Sequence, residues 1–302
     1  MIRKKIELRE ERDFGQKFNA VFVFLQTNFK PFIRVIGLTV GPLALVGGFF
    51  FGLFFSKMSD LINISGGGSA PKVMSWVFEM FVSYFFLGLA SLWMMIAVYA
   101  FMAEYDSGNE NINIEAVWKR GKGKIWPAIG FGIISVLALI FLVAIIFVFP
   151  GNTGIAMVMK FLLVYVAMFY IMISLSLVLP NMLIENAGVF ESIERSFILI
   201  RGKWWSTFGL LMVVGLITNF ATVIFAIPFY VAWIVSLLMQ TTVGEVITVT
   251  GSCIMFLGSF LLMTLPTLAI GFQYFNLVER KEGTGLLKKI DQLGKPDNIL
   301  DN

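Results

Sequence analysis

Apolar residues fill six long blocks of the chain, separated by short polar stretches, and each block is long enough to cross a bilayer. A helix needs about 20 apolar residues to span the hydrocarbon core. The blocks run from about Phe32 to Phe55, Met74 to Met102, Pro127 to Phe149, Ile155 to Leu179, from near Thr207, and from Val249 to Leu277. The fifth extends to Met239 with Pro228 inside it. That length exceeds one crossing and falls short of two, so a span ending near Pro228 is expected, then a kinked or interfacial segment with Tyr230 and Trp233. The pattern predicts an all-α polytopic membrane bundle of about six transmembrane helices. It forms one integral membrane domain over 1–302: an interfacial segment 1–31, the spans within 32–279 and a tail 280–302.

Three shorter amphipathic segments precede spans one, three and five. In the first, Asp13 is placed to cap a helix whose apolar residues Phe14, Phe18, Val21, Phe22, Leu25 and Phe29 make one stripe, with Lys17 and Gln26 also on the helix. Such a helix lies in the interface. "IEAVWKRGKGKIWPAIG", from Ile114, keeps the Ala-to-Pro spacing of "FNAVFVFLQTNFKPFIRVIG", from Phe18, and "FESIERSFILIRGKWWSTFG", from Phe190, follows the same pattern. The three units read either as an internal repeat or as independent selection of anchors at the inner leaflet.

In the third unit, Phe190, Ile193, Phe197, Ile200 and Trp204 recur at helical spacing. Glu191 and Arg195 stand in the order that favours an i,i+4 ion pair. Gly202 is placed to end the helix, Lys203 to snorkel, and Trp204 and Trp205 to sit at headgroup level. Ser206 or Thr207 then caps the next helix. Glu191, Arg195, Arg201, Lys203, Trp204 and Trp205 are the candidate interfacial or partner-binding residues.

Charge orients the bundle. Twenty of the 23 lysines and arginines fall on one side: eight before or just inside the first span, four in the loop after the second, three after the fourth and five in the tail. Lys57, Lys72 and Lys160 remain for the other. The positive-inside rule makes both termini cytoplasmic. The charged start lacks the short apolar stretch and small-residue site of a cleavable signal peptide.

Composition narrows the chemistry. Hydrophobic residues are 58% of the chain and charged residues 14%, with a mean hydropathy of +0.85. Soluble domains carry about 25% charged residues. There is no histidine and one cysteine, Cys253, so the commonest general base, an intrachain disulfide and a thiolate metal cluster are excluded. No cofactor is expected. The pI of about 9.1 comes from residues beside the spans, which topology explains without nucleic acid.

Within "IENAGVFESIERSFILIRGKWWSTFGLL", Glu185, Asn186, Arg195, Ser196, Phe197, Arg201, Gly202 and Trp204 form a pattern. An acidic residue and Asn after a span are followed by an Arg-Ser-Phe core, a basic-Gly turn and aromatic residues opening the next span. The pattern resembles the membrane domain of the glycerophosphoryl diester phosphodiesterase family and of related six-span bacterial proteins. The resemblance covers about 28 residues by motif and the rest by architecture. The catalytic domain of that family, which relies on histidines and metal-binding carboxylates, has no counterpart.

Other features are expected to serve packing. Gly37, Gly41, Ala44, Gly48 and Gly52 give the first span a small-residue face, with two GxxxG patterns, suited to another span of the same chain. Pro42 and Pro266 are candidate kinks, Asn219 and Gln273 candidate interhelical hydrogen-bonders, and Cys253 a small packed residue. Glu79 and Lys160, near the outer ends of spans two and four, either pair across the outer rim or line a polar path. "SGGGSAPK" at 65–72 reads as a flexible connector. "RGKGK" at 120–124 reads as a basic turn toward anionic lipid, and the Asn63-Ile64-Ser65 sequon as fortuitous. Leu286, Ile290 and Leu293 give the tail an amphipathic helix. The expected function is that of a non-enzymatic bacterial inner-membrane protein, an accessory or organising subunit contacting membrane lipids and a membrane or cytoplasmic protein. The alternative is a transporter or channel for a small solute or lipid.

Overall fold

The computed structural model describes residues 6–57, 70–109, 111–148, 154–239 and 242–293. The 65–69 part of the glycine-rich connector and the sequon lie outside the described residues. Six helices are long and apolar enough to cross a membrane. In chain order the α-helices are α1 (Phe14–Thr39), α2 (Gly41–Ser56), α3 (Ala70–Asp106), α4 (Ile114–Gly121), α5 (Ile125–Val148), α6 (Gly154–Ser174), α7 (Val178–Ile184), α8 (Val189–Ile200), α9 (Trp204–Met239), α10 (Thr242–Glu282) and α11 (Thr284–Leu293). A 3₁₀ turn, Lys122–Lys124, links α4 to α5. The all-α polytopic bundle expected from the pattern is what forms.

The first span differs from expectation. The amphipathic segment fuses with the start of the apolar block into one 26-residue helix, α1, that itself ranks among the six long apolar helices. It bends at Asn28, whose φ of −108° and ψ of 16° leave helical geometry three residues before Pro31. Proline has no N–H to continue the ladder, so the preceding turn opens, and the Asn28 amide takes up the carbonyl of Phe24 at 3.0 Å. Asp13 caps α1 as expected, in a reciprocal box with Gln16 (2.7 and 3.0 Å). The apolar block then resumes as α2, with Pro42 in its first turn. Pro42 therefore starts a helix instead of kinking one. α4 and α8 are separate short helices, set off from the next span by the turns at 122–124 and 201–203.

The fifth block also departs from expectation. α9 does not end at Pro228 but continues for 36 residues to Met239, carrying Tyr230 and Trp233 within the helix. Its antiparallel neighbour α10 runs alongside it. A Cβ added at Gly251 would fall 2.8 Å from the Cα of Phe229, and one at Gly244 would fall 2.8 Å from the Cα of Ser236. Backbone contact this close holds the helix through the proline, because lost dispersion would exceed the single lost hydrogen bond. α10 likewise passes through Pro266 unbroken, to Glu282.

The small-residue face of α2 meets the same helix. Cβ atoms at Gly48 and Gly52 would lie 3.2 Å from the Cα of Cys253 and 2.5 Å from the Cα of Val249, both in α10. Gly47 faces Leu87 of α3, and only Gly37 of the predicted stripe meets nothing. Cys253 is half-buried at this contact. α2, α3, α9 and α10 thus form a tight core. α5 and α6 stand apart from it: among the described side chains of α5, Ala128 alone is buried. Gly251→Ala is expected to destabilise the fold by about 1–3 kcal/mol through overpacking. Gly37→Ala should be neutral or slightly stabilising, and thermal unfolding of both variants in one detergent measures the difference.

Candidate functional site

The polar groups of the bundle gather at one end, where the segment before α1, the C-termini of α3 and α10 and the helices α4, α7, α8 and α11 meet. Arg9 is its first anchor. Its guanidinium donates to both oxygens of Asp106 (2.8–3.2 Å) and to the hydroxyl of Thr284 at 3.1 Å. Burial would lower the guanidinium's pKa, but the hydrogen bond and charge of Asp106 outweigh it and raise the value. The backbone N–H of Arg12 donates to Asn276 Oδ1 at 2.8 Å, and its guanidinium folds back onto Leu8 O and Glu10. Here burial prevails and lowers the pKa, partly offset by Glu10 and Glu7. Glu279 accepts from the backbone N–H groups of Gly285 (2.7 Å) and Leu286 (3.1 Å), which lack intrahelical partners at the start of α11.

Lys17, expected on an interfacial helix, is only 2% exposed. Its ammonium donates to Gln273 Oε1 at 2.8 Å and to Ser206 Oγ at 3.2 Å, and Gln273 Nε2 donates to Thr207 Oγ1 at 2.9 Å. Gln273 is therefore the interhelical hydrogen-bonder anticipated. Asn219 is not, because its amide returns to Gly215 O of its own helix. Ser206 and Thr207 do not cap α9, which begins at Trp204. They instead receive the polar groups of α1 and α10.

The residues of the 185–204 pattern come together as a structural clasp. Arg195 does not pair with Glu191. It donates to Glu185 (2.6 Å) and Glu282 (2.8 Å), while Glu191 accepts from the N–H of Gly188 at 3.2 Å and closes the α8 N-terminus. Two carboxylates from other elements outbid one on the same helix, because Glu191 is held by a backbone donor that otherwise has no partner. For Arg195, burial lowers the pKa and the Glu185 and Glu282 contacts raise it, with a net rise. Tyr274 donates to Glu185 as well. Asn186 adopts the left-handed conformation, φ 59°, between α7 and α8. Gly202, φ 79°, ends α8 beside the exposed Arg201 and Lys203, as the sequence predicted. Trp204 stacks on Tyr170 at 5.6 Å and donates to its carbonyl at 3.3 Å, and Trp205 is exposed.

The buried side of α8 is not its aromatic stripe. Ser192, Ser196, Leu199 and Ile200 face inward, and Ser196 Oγ donates to Ser174 O at 2.6 Å, whereas Phe190 and Phe197 lie outside. Three buried polar atoms near this clasp, Asn181 Nδ2, Ser192 Oγ and Arg195 Nε, have no partner among the described residues. The basic turn follows the same logic: Arg120 pairs with Glu104 at 3.1 Å and Lys124 donates to Ala187 O at 3.2 Å. In the tail helix Leu286 and Ile290 are exposed, while the side chain of Leu293 lies outside the described residues.

At the opposite end, Glu79 pairs with Lys57 at 2.5 Å rather than with Lys160. Lys57 follows the end of α2, which packs against α3, while Lys160 sits half-buried on α6. Glu79 is 7% exposed. Among the described residues no group of three carboxylates, cysteines or histidines is placed to hold a metal ion.

A cavity of about 590 Å³ lies between the core and the α5–α6 hairpin, and a second of about 380 Å³ lies beside α2, α3 and α4. Comparison with protein families, with curated proteins and with solved structures finds no match.

Gln273→Leu is expected to destabilise the protein by about 1.5–3 kcal/mol, since it leaves the buried Lys17 ammonium with Ser206 as its one remaining acceptor among the described residues. Adding Lys17→Met should restore most of that loss. A double-mutant cycle of unfolding free energies checks it, and additive losses would contradict the pairing.

Proposed function

We propose that the chain is a non-enzymatic, multi-pass protein of a bacterial inner membrane, with its basic end in the cytoplasm, serving as an accessory or organising subunit. One observation carries this reading: the polar residues of the 185–204 pattern hold helix ends together, while their neighbours project. Phe190, Ile198 and Trp205 are 77%, 53% and 76% exposed. The charged Arg201 and Lys203 stand beside them. Exposed aromatic, aliphatic and basic groups on rigid elements suit contact with lipid headgroups and with a protein partner. The absence of histidine from the sequence favours a role without general acid–base chemistry. The resemblance to the membrane domain of glycerophosphoryl diester phosphodiesterases fits the same role, since that domain accompanies chemistry done elsewhere. The transporter reading keeps one supporting feature, the large cavity, whose apolar lining favours a lipid over an ionic solute.

Two measurements test the proposal. In mild detergent extracts of native membranes, the chain should migrate in an assembly larger than its own 33.8 kDa. The combined Phe190→Ser, Arg201→Glu and Lys203→Glu variant should run as the lone chain with unchanged thermal stability. Migration of the natural chain alone would refute the organising role. For orientation, Ser107→Cys in a Cys253→Ala background should react with an impermeant maleimide in inverted vesicles and not in intact spheroplasts.

A further inference from the structure

The cavity of about 590 Å³ is bounded by α3, α5, α6, α9 and α10, all of them membrane-spanning by length and composition. The space is a cleft that opens to the outside of the bundle, and its size falls in the range of ligand pockets. Water is a poor occupant, because the lining is almost wholly apolar and an ordered water needs two or more polar partners. Four hydroxyl-bearing residues line the space. Three are satisfied by the carbonyl four or three residues earlier on their own helix or turn: Ser135 on Phe131 (2.8 Å), Ser176 on Ile173 (2.7 Å) and Thr267 on Met263 (2.9 Å). The fourth is Tyr99, which is 2% exposed and whose hydroxyl makes no hydrogen bond among the described residues. A buried tyrosine hydroxyl ordinarily finds a partner. The pocket therefore has an apolar body and one unused polar donor.

Its position sets what can fill it. Along α5 the lining runs from Phe131 to Leu142, about 16 Å at the helical rise per residue. Tyr99 lies seven residues before Asp106, the end of α3, hence about 10 Å inside the charged rim. Headgroups occupy roughly the outer 5–7 Å of each leaflet, so this hydroxyl sits just within the hydrocarbon boundary, the depth of lipid ester groups. The two helices that wall the pocket from the basic end, α5 and α9, each begin directly after a lysine, Lys124 and Lys203.

We infer that this cavity is a binding site for one acyl chain of a membrane phospholipid. The chain fills the space between the hairpin and the core, the ester carbonyl accepts the Tyr99 hydroxyl hydrogen, and the headgroup rests at the lysine-bearing rim. The inference stands independently of the accessory role.

The test uses the full chain in vesicles of phosphatidylethanolamine and phosphatidylglycerol, with trace phosphatidylglycerol carrying a photoactivatable acyl chain. Labelled positions are read by mass spectrometry. Met168, which lines the cavity, should be labelled well above Leu163, which is 67% exposed on the same helix. Tyr99→Phe should weaken Met168 labelling about two- to tenfold, the worth of one hydrogen bond. Ala138→Trp, which fills the space from α5, should abolish it while leaving Leu163 unchanged. Leu211→Trp does the same from α9, and serves if the first variant fails to fold. Equal labelling of Met168 and Leu163, or Met168 labelling that survives the tryptophan variants, would mean that only bulk lipid is sampled and would overturn the inference.

Discussion

Close backbone contact between α2, α9 and α10 is what the rest of the structure depends on. Lipid tails are as apolar as leucine, so an apolar helix gains nothing from leaving them, and association has to come from packing density. Gly52 against Val249 and Gly251 against Phe229 supply that density, bringing helix axes nearer than any side chain would allow. The same contact carries α9 past Pro228. With this core fixed, the C-terminal ends of α3 and α10 are placed, and the polar residues they carry can meet.

Those polar residues form a second layer with a different logic. Each is costly to bury alone, so each arrives with a partner from a distant part of the chain: Lys17 with Gln273, Arg9 with Asp106, Arg195 with Glu185 and Glu282. The network adds direction to a packing that is otherwise non-directional. Dispersion alone permits helices to slide along one another, whereas the Lys17 ammonium between Gln273 and Ser206 sets the register of three helices. The α5–α6 hairpin lies beyond both layers, which is why space remains beside it.

Helix number, type and approximate limits were legible in the sequence because hydrocarbon thickness dictates the length of an apolar block. Helix ends signalled by backbone chemistry were legible too: the Asp13 cap and the Gly202 stop need only local residues. Facing was not. On α1 and α8 the stripe of large apolar residues was read as lying in the interface, yet its members Val21 and Ile200 turn inward, beside Lys17, Ala20 and Phe24 on α1 and Ser192 and Ser196 on α8. In water a hydrophobic stripe marks the core, but near a membrane it serves equally well outside, and small or polar residues mark the protein side. Pairings such as Arg195 with Glu282 were illegible for a plainer reason: 87 residues separate the partners, and no local spacing announces them. Glu79 and Lys160 were read as pairing across the outer rim or lining a polar path because both sit near that rim, but proximity along the membrane normal says nothing about neighbours within its plane.

The segment before α1 carries a temporal consequence. Arg12 is held by Asn276, and Arg9 by Thr284 with its carbonyl against Gly285. At a synthesis rate of about 5–20 residues per second, these partners emerge roughly 13–55 s after it does. Arg9 meets Asp106 much earlier, roughly 5–20 s after its own synthesis, so its charge is paired before this segment docks on the end of α10 and the start of α11.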